Sequence, residues 1–273
     1  MLEVYYQILQ MGKIICVTNQ KGGVGKTTTV INLGSSLAAA QKKTLIIDLD
    51  PQANATSGVG IDKNASDSSI YSVLLGNSDI RSSIKKVHKN HLDNYLFLCP
   101  SNADLTGAEI ELVSIENREW KLKEAISSII REFDYILIDC PPSLNLLTVN
   151  SLAAADSVVI PVQCEYYALE GLSQLNRTIN LIKQRLNSDI EIEGYLLTLF
   201  DSRNRLSNVI VNEVRTYFKD LVFDTIIPRN VRLAECPSHG KPILLYDATS
   251  KGAISYISLA KEIMEKSNGG YSS

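Results

Sequence analysis

Short, β-rich apolar runs recur along the chain at 14–17, 44–47, 96–99, 135–138, 158–162, 195–199 and 222–227, and most gaps between them carry helical spacing. Val30, Leu33, Leu37 and Ala38 share a helical face after the first run, and Leu172, Leu175, Ile179 and Ile182 do so after the fifth. A continuously apolar strand is one buried on both faces, and an amphipathic crossover helix returns the chain to the same end of the sheet. The pattern predicts an α/β fold, a single domain whose mostly parallel twisted sheet has helices on both faces. At 273 residues and 45% hydrophobic content, the chain is long enough to bury a substantial core. The stretches 62–69 and 85–94 read as surface connections. Residues 1–10 read as an N-terminal extension, 11–266 as the domain and 267–273 as a flexible tail.

The first apolar run is followed by Gln20, Lys21, Gly22, Gly23, Val24, Gly25, Lys26, Thr27 and Thr28, and a helical pattern begins near Thr28. Three glycines let the backbone close around a polyanion with its N–H groups pointing inward, and the helix N-terminus adds partial positive charge. In that setting Lys26 reaches β- and γ-phosphate oxygens and the Thr27 hydroxyl is placed to ligate Mg²⁺. The strand, loop and helix in sequence make this a P-loop NTPase rather than a structural turn.

Carboxylates follow two of the other runs. Asp48 and Asp50 end the run at 44–47, and Asp139 ends the run at 135–138. At strand ends beside a phosphate loop, such groups hold magnesium or orient an attacking water. Asp139 fits the Walker B position. Two residues apart on extended chain, Asp48 and Asp50 would face one side and share one site.

Gln20 stands where the first glycine of such loops usually is, and Lys21 follows it; the run Lys-Gly-Gly-x-Gly-Lys-Thr-Thr resembles the deviant Walker A ATPases. Segments 11–29, 48–58, 139–144, 161–172 and 227–243 are together similar to the ParA/Soj family of chromosome- and plasmid-partitioning ATPases, a likeness running from about 11 to 266. The resemblance implies weak ATP hydrolysis used as a switch, with ATP and Mg²⁺ as cofactors. Lys21 would reach phosphates bound by the other subunit of a homodimer, instead of being one more solvated lysine. Asp50 would serve the attacking water, with Lys21 as the second catalytic residue, and Asp48 would belong with Thr27 and Asp139 to the magnesium environment. Pro228 and Asn230 fall where related ATPases contact adenine, although a strand-ending turn would explain them equally.

The same resemblance implies nonspecific binding of double-stranded DNA by the ATP-bound dimer through Arg203 and Arg232, and stimulation by a ParB-type centromere-binding partner. Charge alone does not demand this. The net charge is −3 overall, and the segment 201–251 carries eight Lys/Arg against six Asp/Glu, whereas phosphate contacts usually need clustered cations. Only ten residues precede Met11, too few for the helix-turn-helix domain of family members that repress transcription, and Met11 is itself a plausible start by the family's pattern. No apolar run approaches ~18 residues, and the first ten lack the charged start and cleavage site of a secretory signal. A cytoplasmic protein, nucleoid-associated when ATP-bound, is expected. A MinD-like membrane regulator would need a cationic amphipathic C-terminal helix, but in 256–266 the acids balance the bases. The five cysteines form no CxxC pair and read as buried free thiols, not as ligands of a metal cluster.

Overall fold

The computed structural model describes residues 11–64, 68–87, 92–165 and 168–267. Its strands are β1 (Lys13–Val17), β2 (Thr44–Asp48), β3 (Lys85–Lys86), β4 (Leu96–Cys99), β5 (Tyr135–Asp139), β6 (Ser157–Gln163) and β7 (Glu191–Thr198), in the spatial order β3-β4-β2-β5-β1-β6-β7. Neighbouring strands run parallel except β3 with β4. The helices that bear on the site are α1 (Lys26–Ala39), α2 (Asn54–Gly58), α3 (Leu146–Ala154), α4 (Ala168–Arg185), α5 (Arg205–Phe218), α6 (Val231–Glu235) and α7 (Lys251–Ser267).

Successive strand residues face opposite sides of a sheet, and each side here has its own helix layer. Ile15, Val17, Ile46 and Leu137 pack with Val30, Leu33 and Leu37 of α1 and with Tyr256, Leu259 and Ile263 of α7. Cys16, Leu45, Ile136 and Ile138 pack on the other side with Leu152 of α3, Leu172, Leu175 and Ile179 of α4, and Val214 of α5. Burial on both faces is why the strands read as unbroken apolar runs. The last helix is docked through Tyr256, Leu259 and Ile263, and among the described residues no helix is long and apolar enough to cross a membrane.

Two expectations need correction. The run 222–227 is not a strand: isolated bridges join Val222 to Tyr195 and Pro228 to Phe200. The Phe223 and Ile227 N–H groups donate to the Tyr195 and Leu197 carbonyls of β7 at 3.1 and 2.9 Å, but between them the Asp224 and Thr225 N–H groups donate to the Glu262 carboxylate of α7 at 3.1 and 2.8 Å, which interrupts the ladder. The stretch 85–94 is not purely a surface connection, because Lys85 and Lys86 pair antiparallel with β4 and Val87 is buried. Both lysine side chains are exposed there, which blunts the sheet edge against further pairing. Ser267 is the last residue of α7, its hydroxyl donating to the Ile263 carbonyl at 2.9 Å. The predicted extension 1–10 and the rest of the predicted tail, 268–273, lie outside the described residues.

Candidate functional site

From β1 the chain crosses to β2 on one side, while β6 lies on the other. The carboxyl end of β1 therefore borders the crevice where crossovers diverge, the usual ligand position in open α/β sheets. The loop there bends through Gly23 at φ 74° and Gly25 at φ 91°, left-handed conformations that only glycine adopts without penalty. Gly25 is also the N-cap of α1, which has no side-chain cap and no acidic residue in its first turn. Its first N–H groups and its positive dipole end thus remain available to an anion.

Both ends of the loop are anchored. Asn19 donates to the Pro161 carbonyl at 2.7 Å and accepts from the Lys21 N–H at 3.0 Å, tying the loop to β6. The Thr198 hydroxyl donates to the Val24 carbonyl at 2.8 Å, tying the loop to β7. Neither Asn19 nor Thr198 stands out in the sequence, since each acts through a partner distant along the chain.

The two lysines of the loop have opposite placements. Lys26 is only 7% exposed, with its ammonium donating to the Lys21 carbonyl at 3.2 Å. Desolvation lowers its pKa, against the opposing pull of the Asp139 charge. Lys21 is at the open rim, its side chain 41% exposed and its Nζ 3.4 Å from Glu165 Oε2. Arg229 reaches the other Glu165 oxygen at 3.9 Å. Glu165 lies inside the family-like segment 161–172, but no local pattern marked it for a role.

Strand register sets the acids side by side, with Asp48 opposite Asp139 on β2 and β5. Both are fully buried, yet their surroundings differ. Asp48 accepts from the Asp50 N–H at 3.2 Å and from the Thr56 N–H and hydroxyl at 2.8 and 2.7 Å. Burial raises its pKa to about 6 in spite of those donors. Neither Asp139 oxygen has a hydrogen-bond partner among the described residues. Burial, then the Asp48 charge, raise the Asp139 pKa well above its ordinary value, and the Thr27 hydroxyl is the neighbour that favours its charged form. A buried carboxylate without a partner is costly unless a cation occupies its surroundings, so Asp139 beside Thr27 fits a magnesium site. Asp50 is also buried, with Oδ1 accepting from the Gln52 N–H at 2.9 Å, and its charge acts on Lys26.

A cavity of about 370 Å³ continues from the loop, with Gly23, Gly25 and Thr28 on one wall and Pro228, Asn230 and Tyr256 among its other lining residues. Pro228 and Asn230 thus share a cavity with the loop. The turn reading of Asn230 is also satisfied, since its side chain caps α6 by accepting from the Leu233 N–H at 3.3 Å.

Arg203 and Arg232 are exposed, and each is paired within the chain. Arg203 holds Asp201 through Nε and Nη2 at 3.0 and 2.9 Å, keeping that carboxyl near 2. Arg232 lies 3.1 Å from Glu235 and 3.6 Å from Asp247.

The five cysteines are free and buried, as expected.

An AAA domain family model matches residues 12–192. The solved structure of cobyrinic acid a,c-diamide synthase from Mycobacterium smegmatis with bound ADP and magnesium is similar at a TM-score of 0.83 and 36% identity, over 96% of this chain and 97% of that one. Fold, loop and strand-end acids define a P-loop ATPase of the deviant Walker A kind. The chain is 57% identical over 256 residues to the chromosome partitioning protein ParA of Myxococcus xanthus, covering 94% of this chain and 89% of that one. It is 55% identical over 253 residues to the sporulation initiation inhibitor protein Soj of Bacillus subtilis, covering 93% and 98%. The chain belongs to the ParA/Soj family of partitioning ATPases.

Proposed function

We propose that the segment 11–266 works as a DNA-segregation switch in the cytoplasm: it binds MgATP, closes into a homodimer, holds nonspecific double-stranded DNA and releases it on hydrolysis. The observation that carries this reading is the unequal placement of the two loop lysines. Lys26, buried beneath the loop, serves the phosphates of its own subunit. Lys21, at the rim and held among the described residues by an exposed ion pair, can exchange Glu165 for a phosphate presented by a second subunit at little cost, because surface pairs contribute about 0–1 kcal/mol.

Within one subunit the geometry supports the following assignment of roles. The N–H groups of Gly22 to Thr28 cradle the phosphates, and Thr27 and Asp139 would hold magnesium with Asp48 adding charge. Magnesium held there would supply positive charge against the charge that develops on the transferred phosphoryl group. Asp50 orients the attacking water, and the cavity at Pro228 and Asn230 takes the base. Little covalent chemistry is asked of the protein, so slow intrinsic turnover that a ParB-type partner accelerates suits this site. Arg203 and Arg232 contact DNA, and dimerisation doubles those contacts, so that nucleotide state governs nucleoid association.

DNA cosedimentation with ATP, with ADP and without nucleotide tests the switch. Binding is expected with ATP alone. Equal binding in all three conditions, or binding in none, would overturn it.

A further inference from the structure

We infer that Thr56 is a positioning residue for hydrolysis: its hydroxyl relays the end of β4 to the acid pair and thereby sets where Asp50 stands. This rests on the proposed role of Asp50 in orienting the attacking water.

The relay is continuous. The Ser101 N–H, just beyond β4, donates to Thr56 Oγ1 at 3.0 Å, and that hydroxyl donates to Asp48 Oδ2 at 2.7 Å. The Thr56 N–H reaches the same oxygen at 2.8 Å, and the opposite oxygen of Asp48 accepts from the Asp50 N–H at 3.2 Å. Thr56, Asp48 and Ser101 are fully buried and Asp50 is 8% exposed, so water cannot substitute freely for any link. A hydroxyl has one proton, and the Ser101 amide can only donate. The Thr56 proton must therefore point to Asp48, and the relay has a single arrangement.

The segment it fixes is one that would not hold its shape unaided. Between Asp50 and α2 the chain doubles back, with the Ala53 N–H donating to the Asp50 carbonyl at 2.9 Å and the Gln52 N–H to the Asp50 carboxylate. Ala53 sits at φ 54°, a left-handed conformation that is unfavourable for alanine and persists only when its surroundings over-determine it. Asp48 and Thr56 clamp the two ends of this turn. Without the hydroxyl, the clamp keeps one donor where it had two, and the turn carrying Asp50 is free to relax. Among the described residues Thr56 makes no hydrogen bond to the P-loop or the cavity wall and reaches the proposed magnesium environment only through Asp48, which adds charge there without being a proposed ligand, so its effect should fall mainly on the chemical step.

The test is steady-state ATP hydrolysis by the full chain carrying Thr56→Val, which keeps the bulk and removes the hydroxyl, beside Thr56→Ser, which restores it. Removing an outer-shell partner of a metal-site side chain typically costs about 10–100-fold in metal affinity or activity; for a group that sets the Asp50 turn the loss expected for Thr56→Val is at least about tenfold in kcat. KM for ATP should stay within about threefold, and Thr56→Ser should recover most of the loss, the split expected when an interaction matters only in the transition state. If Thr56→Val does not accumulate as folded protein, Thr56→Cys, a weak donor of similar bulk, is read in its place. A kcat within twofold of wild type for the hydroxyl-free variant overturns the relay. So does equal impairment of the Val and Ser variants, or a loss that lies in KM. Asp50→Ala is measured in parallel: if it hydrolyses ATP normally, the proposed role of Asp50 fails and the relay with it, whereas an inactive Asp50→Ala beside an active Thr56→Val removes the relay alone.

Discussion

Lys21 Nζ lies 3.4 Å from Glu165 Oε2, an exposed ion pair that keeps the second lysine of the loop on its own subunit. Such a pair contributes less than about 1 kcal/mol, so Glu165→Gln should leave the thermal midpoint within a few degrees of wild type. Lys21→Ala should still bind MgATP, because Lys26 and the backbone cradle are intact, but should fail to dimerise. Sedimentation velocity in saturating MgATP, on an Asp50→Ala background that blocks turnover, checks this. A dimer of Lys21→Ala under those conditions would remove the lysine from the interface.

Asp50→Ala itself should separate binding from hydrolysis. The carboxylate accepts from the Gln52 N–H of its own turn and acts on Lys26 only through its charge, so its loss should leave the phosphate contacts in place. General-base or water-orienting groups contribute about 10²–10⁴-fold, and a fall of kcat by at least about a hundredfold is expected. Nucleotide affinity, followed by fluorescence titration, should be nearly unchanged.

The neighbouring acids make stability depend on pH when nucleotide and magnesium are absent. Burial raises the Asp48 pKa to about 6 and, with help from the Asp48 charge, holds that of Asp139 well above its ordinary value. A carboxyl whose folded pKa is raised takes up its proton more readily in the folded state, so its stabilisation is present at low pH and is lost as pH rises through the folded value. Each such group contributes a slope of about 1.4 kcal/mol per pH unit between its ordinary and its shifted pKa. Thermal melts from pH 5 to 7.5 should therefore show this contribution fading. Asp139→Asn removes one buried charge and relieves Asp48, so it should melt higher than wild type at pH 7.5 and near it at pH 5. It should also lose the added stability that MgATP gives the wild type.

The legibility of fold and site in the sequence follows from how local each cause is. The glycine loop, Lys26 and Asp139 were legible because their meaning lies in adjacent residues: a strand, a loop and a helix in succession. The core faces of α1 and α4 were legible from spacing alone. Thr56, Glu165 and Asn19 were not, since each gains its role from a partner far along the chain, as Thr56 does from Ser101. The run 222–227 has the composition of a strand and does donate to β7 through the Phe223 and Ile227 N–H groups, but the Glu262 carboxylate from α7 takes the Asp224 and Thr225 N–H groups between them and breaks the regular pairing. No local pattern carries that information.

The DNA prediction depends on what the two arginines must give up. Arg203 is held by Asp201 in a two-bond pair, and Arg232 is shared between Glu235 and Asp247. All are surface pairs, so exchanging a carboxylate for a phosphate is nearly balanced at one site and gains only when several such exchanges happen together. Binding should accordingly be weak for a monomer and steeply dependent on salt for a dimer. Every phosphate left without its arginine should reduce the slope of log K against log salt by about 0.9. Arg203→Ala and Arg232→Ala each release one phosphate per subunit, so each should flatten the ATP-dependent slope by nearly 2 in the dimer without favouring any sequence. Asp201→Asn frees Arg203 from its partner and should strengthen binding at fixed salt. Fluorescence anisotropy with DNA duplexes of unrelated sequence, titrated at four salt concentrations, measures all three; an unchanged slope in both arginine variants would place the DNA surface elsewhere on the molecule.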